Sequence, residues 1–283
     1  MFQRDRSLPR PIVIVATERT GTNYLCALLN QHPQIAAYYE IFSNVAVMMS
    51  DAQVKTLCKI QGWSFANRSD PKLIKQFEAS HVQIVELIRQ ELSVRKRICS
   101  FKIFQNHLPP KALAQLIVDY EVIIVTRRII DTYISFVKAV ETDDWLKRDT
   151  TQIKPTLSID DFVTWYCERH RYYQTCASQY LAAHHKKVEV LEYEEFTRGT
   201  NIENLNFVCQ KISAAIGVCL DMFDSEIELK IWKQDQNPSV KSKVSNWSEF
   251  EAQLKEKGLL EIAFGRFLDP IQSLYPIDSF QMR

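Results

Sequence analysis

Short apolar runs alternate with longer segments of helical periodicity along most of the chain. The runs are rich in Val, Ile and Phe, as buried strands are, and extend over Ile12 to Ala16, Ile98 to Phe104, Glu121 to Thr126 and Val188 to Glu192. Apolar positions three or four residues apart predict helices at Thr22 to Gln31, Lys72 to Leu92, Pro110 to Asp119, Ile129 to Val140, Ile159 to Ala183 and Asn201 to Ala215. The pattern is less regular between Phe42 and Pro71. This alternation predicts an α/β fold with a central, mainly parallel sheet flanked by helices.

The segment after the first run has the composition of an anion-binding loop. From Ala16 to Leu25 it contains one glycine and several small hydroxyl and amide side chains. Between a strand and a helix, such a loop offers free backbone N–H groups at the positive end of the helix dipole. Arg19, Thr22 and Asn23 add side-chain donors, so the sequence predicts a phosphate ligand here.

This loop departs from the nucleotide-binding sequence G-x-x-x-x-G-K-[ST] at two positions. Ala16 stands at the place of the first glycine, and Thr22 stands at the place of the lysine. Arg19 is then the only cation of the loop, and no lysine reaches the outer phosphates of a nucleoside triphosphate. The loop therefore favours an anion that is bound without a metal over ATP with magnesium.

A second group of anion-binding residues comes after a later strand. Arg127 comes directly after the run that ends at Thr126, and Ser135 lies about two turns into the next predicted helix. Ligands of open α/β sheets bind outside the carboxyl ends of the strands. We therefore expect this pair and the first loop to flank one crevice and to hold two separate phosphates.

These motifs resemble those of sulfotransferases that use 3'-phosphoadenosine 5'-phosphosulfate (PAPS), a family with a P-loop-like three-layer fold. A glycine-containing loop after the first strand, and an arginine followed eight residues later by a serine, form the nucleotide-binding pattern of that family. The chain is most similar to the bacterial carbohydrate sulfotransferases of the nodulation-factor and trehalose type. The similar segments are Arg19 to Leu25, Leu29 to Pro33, Arg127 to Val137, Leu191 to Phe196 and Val244 to Trp247.

The resemblance implies roles for most residues of the site. The 5'-phosphosulfate would be bound by Arg19, Thr20, Gly21, Thr22, Asn23 and Tyr24, and the 3'-phosphate by Arg127 and Ser135. The resemblance also implies a catalytic role for Arg19. A basic C-terminal loop from Lys233, with a turn at Pro238, would close over the nucleotide through Lys241, Lys243 and Trp247. PAPS is then the cosubstrate and adenosine 3',5'-bisphosphate the product. A sulfuryl group carries less negative charge than a terminal phosphoryl group, so fixed donors can support its transfer and no metal is expected.

Three further residues are candidates for the chemical step. Glu40 is a lone carboxylate among aromatic and apolar neighbours, which raise a carboxyl pKa, and the trehalose-type enzymes have their catalytic glutamate in a similar segment. Lys102 interrupts an apolar strand and needs an anionic partner there, so we expect it to face the transferred sulfonate. His107 lies in a His-Leu-Pro segment. It resembles the His-Leu-Pro segment of animal cytosolic sulfotransferases, whose histidine is the catalytic base. As a plain alternative it caps the helix that Pro109 and Pro110 begin.

The sequence thus predicts a PAPS-dependent sulfotransferase that acts on a hydroxyl group of a carbohydrate or glycolipid. A nucleotide-dependent kinase with a divergent loop is one alternative, and turnover of ATP with magnesium would support it. A binding module that retains nucleotide without turnover is the other. Tight binding of adenosine 3',5'-bisphosphate with no product from any hydroxyl acceptor would support that module.

Composition agrees with this prediction. A chain of 283 residues with 46% apolar content suits one domain, with acceptor-pocket insertions at 42–71 and 141–155. Their aromatic residues, Trp63, Phe65 and Trp145, suit sugar rings or simply pack in the core.

The net charge of +1 provides no basic field for nucleic acid. We expect a cytoplasmic protein, because the charged N-terminal segment is unlike a signal peptide, no apolar stretch approaches a membrane span, and the seven cysteines include no C-x-x-C pair. The resemblance implies a bacterial origin. A homo-oligomer is compatible with the sequence, which does not decide the oligomeric state.

Overall fold

The computed structural model describes residues 9–94, 97–145, 149–229, 231, 234–237 and 239–269. Lys233 and Pro238 of the predicted nucleotide-covering loop lie outside the described residues. The strands, numbered β1 to β5 in chain order, are Ile12–Val15, Ile35–Tyr38, Ile98–Ile103, Glu121–Thr126 and Glu189–Glu192. The helices, numbered α1 to α12, are Thr22–Leu29, Asp51–Gln61, Pro71–Ala79, His81–Ser93, Pro110–Asp119, Ile129–Thr142, Ile159–His184, Tyr193–Phe196, Asn201–Ile216, Val240–Lys243, Trp247–Glu256 and Leu260–Phe264.

The five strands form one parallel sheet in the order β2-β3-β1-β4-β5. Strand β1 lies at its centre, with Val15 beside Ile103 of β3 and beside Ile124 of β4. Because the strands run in one direction, the chain leaves β1, β2, β3 and β4 at the same edge of the sheet. The predicted α/β fold with a central, mainly parallel sheet flanked by helices is confirmed.

Both faces of the sheet are buried, which explains why its strands are continuous apolar runs. On one face, Ile12 and Ile14 pack in one cluster with Leu25 of α1 and with Leu205 and Val208 of α9. The alternate residues of β1 are equally buried, and α4 contacts β3. Burial of each such aliphatic side chain contributes about 1.5–3 kcal/mol. These two layers fix the strand ends from which the candidate site is built.

Several predicted boundaries differ from the structure. The segment between Phe42 and Pro71 is more regular than predicted, because Ser50 and Gln53 form a capping box at the start of α2 and Gly62 ends that helix in the left-handed conformation. The helix predicted from Lys72 to Leu92 is two helices, α3 and α4, which meet at Ser80. Strand β2 was not predicted, and helix α10 lies inside the segment from Lys233 to Trp247 that we expected to be a loop. Helices α11 and α12, which follow that segment, were not predicted either.

The described chain is organised in two compact units. The first, here called the sheet unit, contains the residues up to Thr17, Thr22–Val125 and Cys176–Leu229. The second, here called the helical unit, contains Glu18–Gly21, Thr126–Thr175 and the described residues beyond 230. Its core is aromatic: the rings of Tyr133, Phe162, Trp165, Phe250 and Phe267 pack in contacting pairs at centroid distances of 5.1–6.5 Å.

Two observations on the described residues concern membrane-spanning helices and metal-binding groups. Within these ranges, no helix is both long and apolar enough to cross a membrane. The same residues contain no group of three His, Cys, Asp or Glu side chains arranged to hold a metal ion.

Candidate active site

The predicted anion loop passes from β1 into α1. Thr22 is the first residue of α1 and is buried, and the first turn of this helix contains no acidic side chain. An acidic residue there would compete with a bound anion for the backbone N–H groups of the turn. Within the sheet unit, the start of α1 therefore has the electrostatic character that the sequence predicted.

Three polar side chains meet at the edge of the sheet in the same unit. Lys102 of β3 is only 1% exposed, and its Nζ lies 2.7 Å from Oε1 of Glu40, which lies just beyond β2. The same Nζ donates a hydrogen bond to Oδ1 of Asn23, in the first turn of α1. The rings of Tyr39 and Phe104 lie 5.4 and 5.3 Å from this ammonium group. Strand ends that are distant in sequence thus place a carboxylate, an ammonium group and an amide at one point.

The sequence prediction that Lys102 needs an anionic partner agrees with this arrangement. Its partner in the structure is Glu40, so the surroundings of this carboxylate include an ammonium group besides the apolar and aromatic neighbours that the sequence suggested. The carboxylate is 22% exposed, whereas the ammonium group is almost fully buried. Lys102 therefore holds Glu40 from the protein side and leaves part of the carboxylate open to a substrate.

His107 lies close to this group but has its acceptor nitrogen occupied. Its Nδ1 accepts a hydrogen bond from the backbone N–H of Phe104 at 3.2 Å, and the two rings are 4.9 Å apart. Burial lowers the pKa of His107 to about 4. A neutral imidazole whose Nδ1 accepts a hydrogen bond carries its proton on Nε2 and has no free lone pair for a second proton. The helix-capping alternative is not observed, because Pro109 occupies the cap position of α5.

The depressed pKa of His107 predicts a pH dependence of stability. The unfolded chain binds a proton near pH 6.5, whereas the folded chain binds it only near pH 4. The free energy of unfolding should therefore fall as the pH falls through this window, with a contribution from His107 of about 3 kcal/mol. Denaturant unfolding of the wild type and of His107→Asn at pH 7 and pH 4 measures this contribution.

Asparagine is the matched replacement at this position because its Oδ1 can accept the same backbone N–H. The pH-dependent loss should be smaller in His107→Asn by the stated amount. An identical loss in both proteins would show that other groups cause it.

Tyr24 has a structural environment that the sequence did not suggest. Its hydroxyl donates to Oδ1 of Asn201 and accepts from Nδ2 of Asn204, both at 2.9 Å, and its ring stacks on Phe196. These contacts join α1 to α9 inside the sheet unit. The predicted contact of Tyr24 with the donor stays a prediction.

In the helical unit, the loop residues Glu18–Gly21 have an unusual backbone. Arg19 has a φ of 70° and Gly21 a φ of 85°, both in the left-handed region. For a residue with a side chain this conformation costs about 1–2 kcal/mol. The neighbouring contacts must therefore hold Arg19 in place.

Those contacts involve every donor group of the Arg19 side chain. Nε donates to Oγ of Ser135 at 2.9 Å, Nη1 donates to the carbonyl of Trp145 at 2.6 Å, and Nη2 donates to Oε1 of Gln234. Burial and the positive charge of Arg127 lower the pKa of Arg19 to about 10. Arg19 therefore connects two other segments of the unit to the predicted phosphate-clamp residue Ser135.

Arg127 completes this group of residues. Its Nη1 donates to the backbone carbonyl of Arg19 at 3.0 Å. Arg127 thus contacts the backbone of Arg19, Arg19 contacts the hydroxyl of Ser135, and the like charges of the two arginine side chains repel each other. A bound anion would relieve this repulsion, which is what a phosphate clamp requires. The structure brings together Arg19, Arg127 and Ser135. The predicted crevice for two phosphates stays a prediction.

Lys243 differs from its expected role. Its Nζ lies 2.6 Å from Oδ1 of Asp131, and both side chains are buried. Arg128 also pairs with Asp131. Burial raises the pKa of Asp131, but the surrounding positive charges, Lys243 foremost, outweigh that effect and lower it overall. Lys243 thus attaches α10 to α6, and its predicted contact with the nucleotide stays a prediction.

Lys241 and Trp247 line a cavity of about 390 Å³ in the helical unit, with Val244 to Glu249 forming its other walls. Lys241 is exposed, whereas Trp247 is 6% exposed and packs against Phe264. The indole Nε1 of Trp247 is buried and has no hydrogen-bond partner among the described residues. Of the three residues that the sequence predicted in the C-terminal segment, Lys241 and Trp247 therefore lie at one cavity and Lys243 does not line it.

Sequence reasoning missed four residues that shape the helical unit. The sequence places Asp131 only on a polar helix face and Gln234 only in a polar tail. It assigns no role to Glu18 and Arg169, which form an ion pair. The position of Glu18, a carboxylate inside a loop predicted to bind an anion, was a signal that this residue has a structural role. No pattern in the sequence indicates that Arg169 of α7 is buried.

Two curated proteins are similar to this chain in sequence. Nodulation protein H of Rhizobium meliloti is 27% identical over 204 residues, which cover 67% of this chain and 72% of that protein. Nodulation protein H of Rhizobium tropici is 27% identical over 159 residues, or 54% of this chain and 57% of that protein.

Two solved structures are also similar to this chain. A sulfotransferase from Alicyclobacillus acidocaldarius matches at 18% identity with a TM-score of 0.40, over 91% of this chain and 96% of the other. The sulfotransferase domain of the Synechococcus PCC 7002 olefin synthase matches at 13% identity with a TM-score of 0.38, over 78% of each chain. The model of the sulfotransferase family matches residues 11–203, more than half of the sequence. The chain therefore belongs to the sulfotransferase family.

Proposed function

We propose that this enzyme transfers a sulfuryl group from PAPS to a hydroxyl group of a carbohydrate or glycolipid. The observation that carries the proposal is the contact of Arg127 with the carbonyl of Arg19, together with the bond from Arg19 to Ser135. These residues are the ones that the sequence resemblance connects with the two phosphates of the donor. Family membership supports sulfuryl transfer as the reaction class.

Each unit contains residues that suit a phosphate ligand. The guanidinium groups of Arg19 and Arg127 and the hydroxyl of Ser135 provide donors for phosphate oxygens. Thr22 and Asn23, at the start of α1, provide donors for a second anionic group. The sequence resemblance assigns both groups of residues to PAPS. Arg19 would exchange some of its present hydrogen bonds for bonds to the ligand.

Glu40 is the residue that we propose as the base. Its partly exposed carboxylate takes the proton of the acceptor hydroxyl as that oxygen forms a bond to sulfur. The bond between sulfur and the bridging phosphate oxygen breaks, and adenosine 3',5'-bisphosphate leaves with the electron pair. Lys102 supplies positive charge beside this step through its contact with Glu40. His107 is the weaker candidate because its Nδ1 is occupied.

The acceptor side of the proposal rests on the resemblance to carbohydrate sulfotransferases and on Trp145. The indole of Trp145 is 39% exposed, its ring contacts Phe136 at 6.0 Å, and its carbonyl binds Arg19. An exposed aromatic ring on a residue whose backbone binds the proposed donor-binding arginine suits a sugar ring. Trp63, in contrast, packs against Phe77, which favours core packing for that residue.

The test is transfer of labelled sulfate from PAPS to a panel of oligosaccharide, glycolipid and phenol acceptors. We expect labelled product from carbohydrate hydroxyls, at a rate that EDTA does not change. ATP with magnesium should yield no phosphorylated product. Phosphorylation without sulfation would favour the kinase alternative. Tight binding of adenosine 3',5'-bisphosphate without any sulfated product would favour the binding module.

A further inference from the structure

An ion pair in the helical unit joins the donor loop to a long helix. Nη2 of Arg169, on α7, lies 3.4 Å from Oε2 of Glu18, the residue before Arg19. The Arg169 side chain is 6% exposed and that of Glu18 is 17% exposed. Water therefore screens this pair less than it screens an ion pair at the surface.

The guanidinium group of Arg169 is fixed from several sides. It lies 4.8 Å from the centroids of both the Phe136 and the Trp165 rings, and its Nη1 donates to the carbonyl of Trp165. Stacking on aromatic rings and a backbone hydrogen bond leave little rotamer freedom to a planar side chain. Glu18 therefore forms its ion pair with an arginine that is fixed in the aromatic core.

The residue after Glu18 needs such a support. Arg19 has the left-handed backbone conformation, which a residue with a side chain keeps only where its surroundings enforce it. In this conformation its carbonyl meets Arg127 and its side chain meets Ser135. Movement of Glu18 by a fraction of an ångström would shift both of these contacts.

We propose that Arg169 is a positioning residue for donor binding, which acts through Glu18 to hold Arg19 in the geometry that presents Arg19, Arg127 and Ser135 to the donor phosphate. This inference rests on the proposed function. In this role Arg169 acts on the donor only through Glu18 and Arg19. Its effect should therefore appear in affinity for the donor and not in affinity for the acceptor.

The variant that tests this role most directly is Glu18→Gln, which removes the charge of the loop residue and keeps its size. Its dissociation constant for adenosine 3',5'-bisphosphate, measured by titration calorimetry, should rise about tenfold. KM for PAPS should rise by a similar factor, and KM for the acceptor should not change. An unchanged dissociation constant would overturn the proposal.

Glu168→Gln is the matched control. Glu168 contacts the other guanidinium nitrogen of Arg169 at 3.5 Å, is 62% exposed, and lies outside the donor loop. The Glu168→Gln substitution removes one carboxylate beside Arg169 but leaves the ion pair between Arg169 and Glu18 intact. Donor affinity should therefore equal that of the wild type. An equal loss of affinity in both variants would show that the charge balance of Arg169 matters and that the tie to the loop does not.

Arg169→Met and the double variant Glu18→Gln/Arg169→Met separate positioning from folding. Thermal unfolding gives the stability of each variant, and calorimetry on the folded protein gives its affinity. If the pair acts as a unit, the double variant should bind no more weakly than Arg169→Met alone. Reduced stability with wild-type affinity in every variant would refute the positioning role. Failure of the wild type to bind adenosine 3',5'-bisphosphate would instead refute the proposed function.

Discussion

Glu40→Gln should lower kcat for sulfuryl transfer about 10²- to 10⁴-fold, the range that a positioned general base contributes. The amide keeps the size of the side chain and an oxygen that can face Nζ of Lys102, 2.7 Å away in the wild type. It cannot take the proton of the acceptor hydroxyl. The loss should therefore fall on the chemical step, as measured by single-turnover kinetics with saturating PAPS, and donor affinity should stay within a few-fold of the wild type.

Two control variants show whether the loss of activity in Glu40→Gln is specific to Glu40. Glu91→Gln removes an exposed carboxylate from α4 in the same unit and should leave kcat unchanged. His107→Asn should retain most of the activity, because His107 has its acceptor nitrogen bonded to the backbone of Phe104. Near-normal turnover by Glu40→Gln together with a large loss in His107→Asn would reverse the assignment of the base.

Arg127→Met should raise the dissociation constant for adenosine 3',5'-bisphosphate about 10- to 100-fold. A hydrogen bond to a charged group is worth about 1.5–3 kcal/mol, and each 1.4 kcal/mol corresponds to a factor of ten in affinity. The variant also loses the bond from Nη1 to the carbonyl of Arg19, so the loop loses a support at its left-handed residue. Titration calorimetry gives the affinity directly.

The neighbouring arginine offers a matched control. Arg128 is bonded to Asp131 and lies 5.7 Å from the ring centroid of Phe264, so its guanidinium group is engaged within the protein. Arg128→Met should lower stability and leave donor affinity close to that of the wild type. Equal losses of affinity in both variants would indicate a general effect of positive charge and would contradict the specific role of Arg127.

The fold could be predicted wherever burial dictates the pattern. The strands β1, β3 and β4 are covered on both faces, so their sequences are continuous apolar runs and were recognised. Strand β2 contains only Ile-Ala-Ala-Tyr, and two alanines give no strand signal; the neighbouring β3 imposes the conformation. Helix α2 had visible signals in Ser50, Gln53 and Gly62, which the irregular apolar pattern outweighed.

The site could be predicted as a set of residue types but not as a set of contacts. The grouping of Arg19, Arg127 and Ser135 could be predicted from their spacing after strands, because parallel strands deliver the residues beyond their carboxyl ends to one edge of the sheet. The pairing of Lys102 with Glu40 depends on β2 lying beside β3, and β2 was not predicted. The buried pair of Lys243 with Asp131 joins residues 112 positions apart, and no local pattern indicates such a contact.

Calorimetric titration of the wild-type protein with adenosine 3',5'-bisphosphate and with adenosine 5'-monophosphate tests the central claim, that the enzyme recognises both phosphates of one nucleotide. The two ligands differ only in the 3'-phosphate that Arg127 and Ser135 are proposed to hold. We predict that the bisphosphate binds at least about 100-fold more tightly, with one ligand for each chain. Equal affinities for the two nucleotides would contradict the account.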